Sequence, residues 1–399
     1  MSDRIRPLEL LGQAAAGRAR AGVRRGLVPR RAGHDGLVDL ASNDYLGLSR
    51  DKRLADAAAE AARAWGTGST GSRLVTGTTT LHTRLEERLA RFTGTPAALV
   101  FSSGYLANLT VLTALASALS GALAGAGGVL IVSDAGNHAS LIDACRLARG
   151  TRGVRVAVTP HLDADAVRRE LDRRDEPAAI VVSDAVFSVD GAVAPVAGLH
   201  AAARDHGALL VLDEAHSFGV IGPGGRGAAA AAGIAAEPDL IRTVTLSKAL
   251  AGQGGAVLAA PEVTGTLVDT GRGFIFDTGL APPCAAAALA ALDVVAAEPE
   301  LGARARAAAT RLAAIAAEAG LRVSAPDAAV LAVTVGESAQ AVRAKKTCAD
   351  YGVHVGCFRP PSVPSGRACL RLTGRADLTE SDFATAVCAL AAVREHGDS

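Results

Sequence analysis

Aromatic side chains, lysine and any excess of one charge are what this chain has little of. Only 3% of its 399 residues are Phe, Trp or Tyr, too few for the stacking platforms that bind single-stranded nucleic acids. Its 41 Lys and Arg are offset by 40 Asp and Glu mixed along the chain, for a formal net charge of +1. No basic footprint for a polyanion results, and nucleic acid is not an expected partner. The six cysteines, at positions 145, 284, 348, 357, 369 and 388, form no CxxC pair and no metal-ligand spacing. Reduced thiols, a cytoplasmic setting and no bound metal are therefore expected. Met1-Ser2-Asp3-Arg4-Ile5-Arg6 has no apolar signal core, in keeping with that setting. No charge occurs between Arg91 and Asp134, a run long enough to cross a membrane. Ser102-Ser103-Gly104 and Gly125-Ala126-Gly127-Gly128 interrupt it, so it reads as strand, buried helix, strand, with no membrane span.

Lysine is the most informative scarcity. There are four: Lys52, Lys248, Lys345 and Lys346. Lys52 lies between Asp51 and Arg53, and Lys345-Lys346 follow Arg343, as solvated charges do. Lys248 instead follows the apolar run Leu240–Leu246 and precedes Ala251-Gly252-Gln253-Gly254-Gly255. Partial desolvation at such a strand end favours the neutral amine and chemistry such as Schiff-base formation. Alone, the residue reads more readily as a lysine snorkelling at a strand end. Its neighbours decide.

The length allows two or three domains. An Arg-rich helical pattern at 5–25 leads to a short strand, Leu37-Val38-Asp39-Leu40. Helices follow at about 51–65 and through Leu81, Leu85 and Leu89. Apolar runs then mark strands at Ala97–Phe101, Gly128–Ser133, Arg155–Thr159, Ala178–Ser183, Ala208–Leu212, Ile241–Leu246 and Gly255–Ala259. Near-continuous apolarity suits strands covered on both faces. The helical stretches between most of them imply βαβ units and a parallel sheet. The last two runs are joined by too little chain for a crossover, so one strand should be antiparallel. Beyond about residue 262 come an Ala-rich helical stretch at 283–318, strands at 329–335, 353–356 and 370–372, and helices at 338–350 and 379–395. The expected fold is α/β, with a mostly parallel seven-stranded sheet, helices on both faces and a smaller α+β C-terminal domain. The expected divisions are an N-terminal helical segment at 1–42, a large domain at 43–275 and a small one at 276–399.

In open α/β sheets ligands bind beyond the carboxyl ends of the strands, and the unusual polar residues gather there. Ser102-Ser103-Gly104-Tyr105 opens an apolar helix and reads as a phosphate cradle or a helix cap. His138, in Asn137-His138-Ala139-Ser140, reads as a ring-stacking or proton-shuttling residue, or as a cap. Ser188 could donate to a ligand oxygen, while Asp190-Gly191 reads as a turn. Asp213, in Val211-Leu212-Asp213-Glu214-Ala215-His216, is an acid at a buried strand end and needs a cationic or proton-bearing partner. A pyridinium nitrogen would serve, with His216 reaching the same ligand; a divalent metal lacks a third ligand at a recognisable spacing. Thr245 and Lys248 close the set. A phosphate cradle, a stacking His, an acid for a pyridinium and a desolvated lysine are what pyridoxal phosphate requires. Gly222-Pro223-Gly224-Gly225-Arg226-Gly227 lacks the ending of a P-loop and reads as a mobile loop beside the site.

At these residues the sequence resembles the α-oxoamine synthases, fold-type I pyridoxal phosphate enzymes that condense an amino acid with an acyl thioester. The resemblance runs from about Asn43 to Arg371. It is carried by Asn43-Asp44-Tyr45-Leu46-Gly47, Gly71-Ser72-Arg73-Leu74-Val75-Thr76-Gly77, Asn137-His138-Ala139-Ser140, Val186-Phe187-Ser188-Val189-Asp190-Gly191, Asp213-Glu214-Ala215-His216 and Thr245-Leu246-Ser247-Lys248. Phe358-Arg359-Pro360-Pro361-Ser362-Val363-Pro364 is most similar to the family member that uses L-alanine and a pimeloyl thioester of coenzyme A or a carrier protein. Ser362, Ser217-Phe218 and Cys369 depart from that member's usual Thr, small residues and Arg.

The resemblance implies that Lys248 carries pyridoxal 5'-phosphate and acts as general base, and that Gly104 and Tyr105 contact the cofactor. His138 would stack on the ring and face the substrate, Ser188 and His216 would bond its polar edge, and Asp213 its ring nitrogen. Thr245 would hold the phosphate, and Thr278 would reach the phosphate of a second subunit in a homodimer. Asn43 and Arg371 would bind the amino acid, and Ser362 would lie by the acyl chain. Arg24, or its neighbour Arg25, would meet the acyl carboxylate, unless it is only a solvated helix charge. The alternatives are an α-oxoamine synthase using glycine or serine, an aminotransferase, and a non-catalytic subunit keeping the fold.

Overall fold

Seven apolar runs pair into one sheet whose strand order explains where the polar residues meet. The computed structural model describes residues 6–30, 32–33, 36–123 and 127–397. The chain begins with α1 (Pro7–Arg20), β1 (Val38–Leu40), α2 (Lys52–Trp65) and α3 (Thr80–Thr93). There follow β2 (Ala97–Phe101), α4 (Gly104–Ala122), β3 (Val129–Asp134), α5 (Ala139–Ala148), β4 (Val154–Thr159) and α6 (Ala164–Asp172). Next are β5 (Ala178–Asp184), α7 (Val196–Asp205), β6 (Leu209–Asp213), α8 (Ala228–Ala231), β7 (Leu240–Thr245) and β8 (Gly255–Ala259). The remainder comprises α9 (Pro261–Thr270), α10 (Arg272–Ile275), α11 (Pro282–Ala297), α12 (Leu301–Glu318), β9 (Arg322–Val323), β10 (Val330–Gly336), α13 (Ser338–Asp350), β11 (Val353–Phe358), β12 (Ala368–Thr373) and α14 (Glu380–Gly397).

The large sheet has the order β2-β8-β7-β6-β5-β3-β4. β8 runs antiparallel to both β2 and β7, as its short connection to β7 requires, and the other pairings are parallel. Alternate residues of each strand enter opposite layers of core. Val129 and Ile131 join Leu112, Leu141 and Val257 on one face, while Leu130 and Val132 join Val167, Leu199 and Leu210 on the other. Helix α4 is apolar and long enough to span a bilayer. Here Ala107, Val111, Leu112 and Leu115 are buried against the sheet and α5, so it is a core helix.

The smaller sheet, β1-β11-β12-β10-β9, carries α12, α13 and α14 over a core of Leu312, Leu331, Leu370 and Leu390. Two features depart from the expected divisions. β1, assigned to the N-terminal segment, pairs in parallel with β11 and belongs to this sheet. α11, assigned beyond residue 275, packs in the same core as α2 and α3 through Ala288, Leu292 and Val295. Sequence distance conceals both pairings. The Ala-rich stretch is two helices, because Pro299 cannot continue the first.

Alternation also explains the motif Asp213-Glu214-Ala215-His216. Glu214 turns back into the core and meets Arg242 of β7, both side chains being fully buried. Its Oε2 accepts from Arg242 Nε at 2.6 Å and its Oε1 from Ala229 N at 2.8 Å. Gly227, at φ +98°, leaves room for this carboxylate, since a Cβ there would lie 2.6 Å from it. The loop expected to be mobile is therefore tied down, with Arg242 also donating to the Arg226 carbonyl at 2.5 Å. Removing one partner strands the other charge in the core. Glu214→Ala should lower the unfolding free energy by roughly 3–5 kcal/mol, as read from urea titration.

Candidate active site

The carboxyl ends of β2, β3, β5, β6 and β7 open onto one cavity of about 230 Å³, lined by Gly104, His138, Asp184, Asp213, His216 and Lys248 among others. It lies at the switch point of the sheet. β4 is laid outside β3 and the chain then returns to place β5 on β3's other side, which separates the two loops and leaves a crevice. Side chains stitch it together: Asn137 Nδ2 donates to the Val182 carbonyl at 2.9 Å, and Asp184 N donates to Asn137 Oδ1 at 2.8 Å. The amide of His138 in turn donates to Asp184 Oδ2 at 2.5 Å.

Asp213 ends β6 with 5% of its surface exposed. Its Oδ1 accepts from Ala215 N at 2.8 Å and its Oδ2 from Asn108 Nδ2 at 2.6 Å, donors that suit a carboxylate. The same Asn108 nitrogen lies 2.8 Å from Ser140 Oγ, which is 2.8 Å from His138 Nδ1. Burial lowers the His138 pKa, with the Asp213 charge opposing.

His216 is held from behind. Its Nδ1 is 2.5 Å from Tyr45 Oη, and Arg371 Nη2 donates to that oxygen at 3.3 Å. Burial, followed by the nearby Lys248 and Arg371 charges, holds the His216 pKa well below its ordinary value. Tyr45 Oη is also 3.3 Å from Asn43 Oδ1, so its one proton has two acceptors in reach. Arg371 arrives from the small sheet by strand alternation: Leu370 and Leu372 enter that sheet's helical core, and Arg371 takes the opposite face. It also donates to the Ser188 carbonyl at 2.8 Å and to Thr373 Oγ1 at 3.2 Å.

Lys248 stands two residues past the start of the turn after β7. Burial lowers its pKa from the ordinary lysine value, Asp213 opposes the shift, and Arg371 reinforces it. The side chain is part-buried and lines the cavity. At the other end of the cavity, Ser103 Oγ caps α4 by accepting from Leu106 N at 3.1 Å. The first amides of the helix, at Gly104 and Tyr105, have no intrahelical acceptor and suit an anion. α4 can approach β8 only because Gly255 lacks a side chain; a Cβ there would sit 2.4 Å from Gly104 N.

Of the residues singled out in the sequence, Gly104, Tyr105, His138, Asp213, His216, Thr245 and Lys248 line the cavity. Asn43 and Arg371 reach it through Tyr45, whose hydroxyl is 3.3 Å from Asn43 Oδ1, while Ser188 touches Arg371 through its carbonyl. Thr278 is exposed outside the cavity, bridged to Ser72. Ser362 is also exposed, and it is Arg25, rather than Arg24, that bonds its hydroxyl at 3.1 Å. Tyr45, Asn108, Ser140 and Asp184 belong to the site but were not singled out. An Asn within the apolar helix Gly104–Ala122 was a readable signal; the burial of Tyr45 was not.

The sequence matches the family model for class I and II aminotransferases over residues 35–390. It is 51% identical to the 8-amino-7-oxononanoate synthase of Mycobacterium sp. (strain JLS), over 98% of this chain and 97% of that protein. Among solved structures, a serine palmitoyltransferase from S. paucimobilis with PLP and myriocin bound superposes with a TM-score of 0.88 at 28% identity, covering 98% of each chain. The 8-amino-7-oxononanoate synthase of Francisella tularensis gives 0.74 at 26% identity, covering 91% of this chain and 98% of that one. The chain belongs to the class I and II aminotransferase family and, within it, to the α-oxoamine synthases. Its cofactor is pyridoxal 5'-phosphate, and the residues present fit that group. The cavity offers an amine in Lys248, a hydrogen-bonded carboxylate in Asp213, an imidazole wall in His138 and a helix N-terminus at Gly104.

Asp184 adds a cost to the empty fold. Burial, and then the Asp213 charge, pushes its carboxyl well above the usual carboxylate range. The folded state thus holds this proton more tightly than the unfolded chain, so its relative stability falls as pH rises above the unfolded value. Asp184→Asn should stabilise the apoprotein at neutral pH, and the gain should fade below about pH 4. Denaturant titrations across that range are the measurement.

Proposed function

We propose that the protein condenses L-alanine with a pimeloyl thioester, of coenzyme A or a carrier protein, to give 8-amino-7-oxononanoate, CO2 and free thiol, a step of biotin synthesis. The observation that carries this reading is the convergence of Lys248, Asp213 and His138 on one cavity, in a chain 51% identical over nearly its whole length to a synthase of that name. Pyridoxal phosphate supplies a ring that delocalises the charge left when the α-proton departs. Asp213 holds the ring nitrogen protonated, His138 forms a wall of the ring's site, and Gly104, Tyr105 and Thr245 hold the phosphate. His216 and Ser188 serve the ring's polar edge. Lys248 would hold the cofactor through its aldehyde and would move the amino acid's α-proton; its lowered pKa suits a base. Arg371, with Asn43 beside Tyr45, receives the amino acid's carboxylate. A carbon–carbon bond to the acyl carbonyl would form as the thiolate leaves, CO2 would depart from the resulting β-keto acid, and a proton returned to that carbon would complete the product.

The terminal carboxylate of a pimeloyl chain needs a cation. The Arg25–Ser362 contact at 3.1 Å supports Arg25 for that task. Working as a homodimer in the cytoplasm completes the reading. Leu74, Val75 and Phe276, 52%, 79% and 68% exposed around the Ser72–Thr278 bridge, support a second copy covering this side and Thr278 reaching its phosphate.

Lys248→Ala should reduce turnover by about a thousandfold or more while leaving the circular dichroism spectrum unchanged. Arg25→Ala should raise the Michaelis constant for the pimeloyl thioester by roughly three- to tenfold, and Arg24→Ala should leave it unaltered. A matrix of amino acids against acyl thioesters, scored by free thiol and CO2, tests the substrates. A preference for glycine over alanine overturns the reading, as does transamination without thiol release.

A further inference from the structure

Asn108 lies one turn into α4 with 2% of its surface exposed. Nothing in the chemistry described above assigns it a task, and its side chain is used unevenly. Its Nδ2 is 2.6 Å from Asp213 Oδ2 and 2.8 Å from Ser140 Oγ. Its Oδ1 is buried without a partner, one of few such side-chain atoms among the described residues. A buried carbonyl oxygen left unpaired is a cost that an apolar residue of the same size would avoid. Flipping the amide offers no relief, since Oδ1 would then face the Asp213 carboxylate.

The directions of the bonds follow from the donors. Ser140 N donates to His138 Nδ1 at 3.2 Å, so that nitrogen carries no proton. The Ser140 hydroxyl, 2.8 Å from the same nitrogen, therefore donates to it and has its lone pairs left for Asn108. One Asn108 proton goes to Ser140 and the other to Asp213. The chain runs Asp213, Asn108, Ser140, His138 without a break, and all four residues line the cavity.

We propose that Asn108 is a positioning residue that acts through both ends of the cofactor's ring site at once. Through Asp213 Oδ2 it fixes the plane of the carboxylate and draws off part of its basicity. Through Ser140 it fixes His138 in the tautomer protonated on Nε2. This inference rests on pyridoxal phosphate occupying the cavity, and it adds a residue whose substitution alters the ring's electronics without touching the reacting atoms. Without the amide the carboxylate is more basic and takes a larger share of the ring proton. The ring then withdraws less charge, and the chromophore bound to Lys248 titrates at a higher pH.

Asn108→Leu separates this role from packing. The substitution fills a similar volume and removes the orphaned oxygen together with two donated bonds, so the apoprotein should keep its fold with a modestly lower melting temperature. The dissociation constant for pyridoxal phosphate should rise about tenfold, for a charge-assisted bond lost from a buried carboxylate. The absorbance titration of the bound chromophore should also move to higher pH. Ser140→Ala, which keeps the bond to Asp213, should leave that titration in place. The inference is overturned if Asn108→Leu binds the cofactor like wild type with an unmoved titration. It is also overturned if weaker binding comes only with an equal loss of apoprotein stability and no change in the titration. Should Asn108→Leu fail to fold, Asn108→Ser carries the same titration test, with an unmoved midpoint again overturning the inference. A wild type that takes up no pyridoxal phosphate overturns the cofactor assignment itself, which is a different result.

Discussion

An acid at the end of a buried strand has to be given hydrogen bonds and a positive partner, and much of this molecule is arranged around that need. Asp213 sits where β6 stops, too buried for water to stabilise its charge. Backbone from its own turn supplies one oxygen, and an amide from α4 supplies the other. Lys248 and a ring nitrogen can then be placed against a carboxylate that is already oriented. The same field opposes the desolvation that lowers the Lys248 pKa, so the amine is tuned by neighbouring charges as well as by burial.

The second buried charge in the same motif does the reverse job. Glu214 points into the core and pairs with Arg242, which itself donates to the Arg226 carbonyl in the glycine-rich loop at 222–227. One tetrapeptide therefore fixes both the chemistry and the wall behind it. Arg371 plays a comparable part between the two sheets. It crosses from β12 to the Ser188 carbonyl and Tyr45, and so couples the amino-acid side of the site to the imidazole of His216.

The strands of the large sheet were legible because each is an apolar run bounded by turns, and burial on both faces leaves little freedom of assignment. Lys248, Asp213, His138 and His216 were legible because each polar residue stands at a strand end or in the short turn that follows one. Tyr45 and Ser140 gave no such signal, since a buried tyrosine and a helix-start serine look the same whether or not they touch a site. The place of α11 and β1 was hidden for another reason: an Ala-rich helix and a three-residue strand carry no mark of the partner they will pack against.

Arg24 and Arg25 mark the boundary between the two kinds of information. The resemblance offered Arg24 or its neighbour for the acyl carboxylate, but adjacent residues differ only in direction, and in the folded chain it is Arg25 that bonds the Ser362 hydroxyl. By itself the sequence determined the sheet, through its local hydrophobic pattern, while its motifs pointed to the family and marked Lys248 and Asp213 as candidates for the cofactor's amine and acid. Only the tertiary structure decided how the site is wired, from Asn108 to His138 and from Arg371 to His216. Those bonds join residues far apart in the chain, and hydrogen-bond direction exists only once donor and acceptor are brought face to face.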